Sequence, residues 1–103
     1  MKIMAELNQM KIEETLSKVM HPEINNNLVD LGIIEDVTYK QNHVSLTLKL
    51  PFLQVPVKDV LLEDIKKALM DLDSSIEVEI NIKQMTEQQR EKFVKMAKEE
   101  WKF

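Results

Sequence analysis

A chain of 103 residues, 44% hydrophobic and 31% charged, suffices for one small domain with a modest core, and residues 1–103 read as that single domain. A formal charge of −4 and a pI near 5.2 argue against nucleic-acid binding, which relies on Lys and Arg to neutralise phosphates. The absence of cysteine excludes disulfides, a thiol nucleophile and cysteine-held zinc or iron-sulfur clusters within this chain.

Lys2, Glu6 and Asn8 interrupt the apolar residues of the first segment, so it lacks the run of a signal peptide or membrane span. Residues 1–9 are therefore expected to be a flexible N-terminus of a cytoplasmic protein with no membrane partner. From Lys11 to Val19, Ile12, Leu16 and Val19 recur at helical spacing, with Asn8 as a cap, and Pro22 requires the helix to stop near Met20. Asn25, Asn26 and Asn27 make a polar loop. Gly32, the chain's one glycine, is expected in a turn or bulge where a side chain would clash.

Ile33 to Tyr39 and Val44 to Leu50 read as two strands joined by a turn at Lys40 to His43. In the second, Val44, Leu46, Leu48 and Leu50 alternate with Ser45, Thr47 and Lys49, so one face is buried. Pro56 to Leu72 is the longest helix, with Val57, Val60, Leu61, Ile65, Ala68, Leu69 and Leu72 on its apolar face. Ile76, Val78, Ile80 and Ile82 alternate to give a third strand, and a helix crossover before it predicts a strand parallel to 44–50. Thr86 and Gln89 have capping-box spacing and open a C-terminal helix appended to the core over 86–103, striped by Phe93, Met96, Ala97 and Trp101. The fold class is α/β (α+β) in two layers: a small three-stranded mixed sheet, hairpin plus βαβ crossover, covered by helices in the order α-β-β-α-β-α.

The segment from Leu50 to Leu62 is where strand gives way to the central helix. A helix beginning at Pro56 aims free N–H groups at the preceding loop, which in a polar loop makes an anion or thiolate site. Here the loop is apolar, with Gln54 its one polar side chain.

The series Val19-Met20-His21-Pro22-Glu23, Leu28-Val29-Asp30-Leu31-Gly32, Val44-Ser45-Leu46-Thr47-Leu48 and Val55-Pro56-Val57-Lys58-Asp59 resembles a family of small domains. It is similar to the N-terminal domain of Mrp/ApbC-type iron-sulfur carrier ATPases and to PaaD-like and SufT-like proteins that assist cluster maturation. The likeness runs from about Ile12 to Ile82 and is sharpest at Val29 to Gly32. Against the family pattern, His21 replaces an aspartate, Lys49 and Pro51 stand where threonines are common, and Val55 replaces the reactive cysteine before the helix. A cysteine there would be held as thiolate by the helix N-terminus, whereas valine offers neither charge nor lone pair. With one glycine, the chain has no phosphate-binding loop and is not itself the ATPase.

The resemblance implies a non-catalytic accessory of iron-sulfur cluster assembly, holding no cofactor and acting through protein contacts. The partners it implies include a P-loop iron-sulfur carrier, another assembly factor or a second copy in a homodimer. The expected contact surface is Phe52, Leu53, Val55 and Val57, flanked by His21, Glu23 and Asp30. Phe52, Leu53 and Val55 either fold over the core or form an exposed patch, and Trp101 and Phe103 pose the same choice. One alternative is a metal- or cluster-binding protein using His21, Glu23 and Asp30 as nitrogen and oxygen ligands; another is a general protein-interaction module. No pairing of titratable groups singles out a catalytic centre, so an enzyme is not expected.

Overall fold

The computed structural model describes residues 7–52 and 56–102, and the elements follow the expected order: α1 (Gln9–Leu16), β1 (Ile34–Lys40), β2 (His43–Leu50), α2 (Lys58–Leu72), β3 (Glu77–Gln84) and α3 (Glu87–Glu99). Leu53 and Val55, and most of the N-terminal segment expected to be flexible, lie outside the described residues.

Asn8 caps α1, its side chain accepting from the Lys11 N–H at 2.8 Å. The helix ends at Leu16, earlier than Pro22 alone requires. Ser17 bonds back to the Glu14 carbonyl, and Lys18 and Val19 take tighter bonds to Thr15 and Leu16. This frees Met20 to bridge Asn27, with the His21 N–H donating to the Asn26 carbonyl, so that 20–27 forms a small closed loop. Gly32 lies in the turn before β1 with φ +79°, yet a Cβ there would meet nothing within 4 Å. The glycine answers a left-handed backbone and not the crowding expected of it.

The β1–β2 hairpin turns on Gln41 and Asn42, both at positive φ (49° and 67°), the two-residue turn whose twist matches the strands. β1 carries one extra residue between Glu35 and Thr38, with Asp36 at φ 54°. Beside this bulge the Gln9 side chain donates to the Val37 carbonyl and accepts from the Tyr39 N–H, occupying the outer edge of β1 with amide groups of its own. β2 is central, and β3 pairs with it in parallel over all eight residues from His43–Glu77 to Leu50–Gln84, as the crossover requires.

The register puts Val44, Leu46, Leu48 and Leu50 on one face, where they join Ile12, Leu16, Leu61, Ile65 and Leu69 in the core. Each such side chain contributes about 1.5–3 kcal/mol on leaving water. Thr47 is buried on the opposite face, where the register flanks it with Glu35 and Asn81.

α2 starts at Lys58, later than expected, because the chain turns at Pro56 and Val57 before the first helical bond; Val57 is the cap and brings no side-chain acceptor. Val60, expected on the apolar face, is 41% exposed, since the buried stripe is Leu61, Ile65 and Leu69, and position 60 lies about 100° from it. Thr86 and Gln89 make the reciprocal capping box of α3, a device contributing about 1 kcal/mol. Phe93, Met96 and Ala97 pack half-buried against the core, but α3 ends at Glu99 and Trp101 lies beyond it, contrary to the helical stripe. Trp101 instead forms an isolated bridge with Ile24. Among the described residues, no helix is long and apolar enough to cross a membrane.

Candidate functional site

The start of α2 opens on a cavity of about 270 Å³. His21, Glu23 and Ile24 supply one wall, the strand-end residues Ile33, Leu50 and Pro51 the floor, Pro56, Val57 and Leu61 the helix side, and Phe93, Ala97 and Trp101 the cover. The cover is held by two backbone hydrogen bonds and one side-chain hydrogen bond between the C-terminal segment and the loop after α1. Asn25 N–H donates to the Glu100 carbonyl at 2.7 Å, Lys102 N–H donates to the Glu23 carbonyl at 3.2 Å, and Asn26 Nδ2 donates to Glu100 Oε2 at 2.9 Å. A second tether starts at Lys49, whose Nζ lies 3.3 Å from Gln89 Oε1 and 3.9 Å from a Glu35 carboxylate oxygen, while Gln89 Nε2 donates to Glu35. The lysine that stands where the family pattern has threonine is thus committed to holding α3.

Of the residues expected at the contact surface, the structure brings His21, Glu23 and Val57 to this one cavity. His21 is 4% exposed, and its Nδ1 accepts the Glu23 backbone N–H at 3.0 Å, which leaves only Nε2 for another partner. Burial holds the imidazole below its ordinary pKa; Glu23 opposes this and the nearby Lys102 charge reinforces it. Folded His21 therefore binds its proton less readily than the unfolded chain does. Its contribution to stability is whole above 6.5 and falls as the pH drops below that value. Denaturant unfolding measured from pH 7 downward should show this loss for the native chain and a shallower one for His21→Asn, whose Oδ1 can accept the same N–H without titrating.

Phe52 stands outside the cavity at 56% exposure, with the Arg90 guanidinium carbon 5.4 Å from its ring centroid. For this residue the choice between core and surface falls to surface. Asp30 is exposed and lies along a different, smaller cavity with Glu35, Gln89 and Lys92; its backbone N–H donates to the Asn27 side chain. His21, Glu23 and Asp30 therefore do not share a cavity, and among the described residues no three of His, Asp and Glu gather as a ligand set. His43 is the first residue of β2 and not part of the turn; it is half-buried, with Nε2 3.0 Å from Glu79 and Nδ1 3.6 Å from Glu77. Ile24, Ile33, Leu50 and Leu61 also line the cavity, and nothing in their spacing along the chain points to one.

A family model described as iron-sulfur cluster assembly protein matches residues 9–82, from the start of α1 into β3. The chain belongs to that family. The likeness seen in Val29 to Gly32 and around Pro56 is thereby established over most of the chain, while α3 falls beyond the matched span. An iron-sulfur cluster carrier protein of a Synechocystis species is 35% identical over 75 residues, 73% of this chain but only 21% of that protein. An Fe-S protein maturation auxiliary factor of Bacillus subtilis, YitW, is 28% identical over 92% of this chain and 94% of its own length. The crystal structure of a domain of unknown function from Bacillus anthracis superposes with a TM-score of 0.68 at 26% identity, covering 87% of each chain. The chain thus spans about a fifth of the carrier protein but nearly the whole of the auxiliary factor.

Proposed function

We propose that this member of the iron-sulfur cluster assembly family is a non-catalytic cytoplasmic accessory that works by binding protein partners at the mouth of α2 and does not ligate a cluster itself. The observation that carries the reading is the chemistry of that mouth. It offers apolar side chains from every wall, the exposed rings of Trp101 in its cover and Phe52 beside it, and a histidine whose Nδ1 is already bonded to its own loop. A chain without cysteine has no thiolate for iron, and imidazole with carboxylate alone is a poor match for a cluster, which proteins hold chiefly through sulfur. Exposed apolar surface at the rim of such a site serves protein contact. A P-loop iron-sulfur carrier is the partner we favour, because a relative named as a cluster carrier holds a domain like this one within its longer chain.

The reading is tested by anaerobic incubation of the purified chain with ferrous iron and sulfide, followed by desalting, metal analysis and absorption spectroscopy. No stoichiometric iron and no charge-transfer band are expected. Retained iron that disappears in His21→Asn or Glu23→Gln would replace this reading with that of a metal-binding protein.

A further inference from the structure

The two edges of the sheet are finished differently. The outer edge of β1 is bulged at Asp36 and capped by Gln9, whereas β3 runs eight residues without proline, glycine or bulge, and among the described residues no strand lies beyond it. Half of the β3 backbone N–H and C=O groups point away from β2, and a straight uncovered edge of this kind templates another strand. On the α2 side, Val78 and Ile80 are only half-buried and Ile82 is 40% exposed.

We infer that β3 pairs with β3 of a second copy, antiparallel about a two-fold axis through Ile80, to make one sheet continuous across both copies. Charge and face are complementary in this pairing. In that register Glu77 faces Lys83 of the second copy, Glu79 faces Asn81, Val78 faces Ile82 and Ile80 faces itself. Apolar thus meets apolar, and the Glu77–Lys83 ion pair forms once on each side of the axis. Within one chain the same polar face has acidic Glu77 and Glu79 beside His43 at one end and Lys83 beside Lys49 at the other. The two-fold axis brings the acidic end of one strand to the basic end of the next.

Analytical ultracentrifugation from micromolar to hundreds of micromolar concentration should show a monomer–dimer equilibrium. Lys83→Glu should weaken it about tenfold, since two cross-strand pairs turn from attraction to repulsion. The exchanged variant Glu77→Lys/Lys83→Glu should recover most of the loss. Independently of any variant, outward-facing β3 amides of the native chain should gain hydrogen-exchange protection with concentration. A chain that stays monomeric throughout, a dimer indifferent to Lys83→Glu, or protection that rises elsewhere but not in β3 overturns the inference.

Discussion

Phe52→Asp is expected to abolish capture of the partner while leaving the far-UV dichroism unchanged and the melting temperature close to that of the native chain. The ring is more than half exposed, and its Arg90 contact is worth about 0.5–1 kcal/mol at such a site. Aspartate can still attract Arg90, so little stability is lost. Binding is another matter: an aromatic anchor at the centre of a contact typically costs about 2 kcal/mol or more on removal, roughly thirtyfold in affinity. Pull-down with a purified P-loop carrier, and with the native chain's own cell extract, reads the effect. Undiminished capture would move the contact elsewhere on the molecule. Collapse of the fold would show that the ring is needed inside.

Ile65→Ala should have the largest effect on stability, a loss of about 2–5 kcal/mol from a fully buried position on α2. For a chain of this size that corresponds to a fall on the order of 10–30 °C in melting temperature, followed by thermal dichroism and urea titration. Met70→Ala, on the same helix but 50% exposed, is the internal comparison and should stay within about 0.5 kcal/mol. Equal losses at the two positions would contradict the placement of α2 on the sheet. The consequence reaches the site, since Leu61 lies one turn before Ile65 and walls the cavity.

Much of this architecture is legible in the residue pattern because the signals are local and repeated. Apolar and polar residues alternate along the whole of β2, and Val44, Leu46, Leu48 and Leu50 all turn inward; Asn8 caps α1; Thr86 and Gln89 bond reciprocally. The family likeness at Val29 to Gly32 rests on the same kind of contiguous evidence, and the family match bears it out. Element boundaries are less legible. α1 stops at Leu16 because side-chain hydroxyls compete for its last carbonyls, and α2 waits until Lys58 because Pro56 sits in the turn before the cap.

Residue type and spacing alone settle which ligand types this chain lacks and the kind and order of its elements. No thiolate ligand and no phosphate loop follow from composition, while one buried strand face and a parallel crossover follow from a two- or 3.6-residue period. Which residues meet is a matter of packing in three dimensions. The pairing of Ile24 with Trp101, far apart along the chain, carries no periodic signal, yet it closes the cavity over His21 and Glu23. Asp30, close to both in sequence and chemically suited to join them, is turned to another surface by its Asn27-capped turn. Chain proximity sets which residues are neighbours along the backbone, whereas convergence at a site depends on long-range contacts that no local pattern encodes.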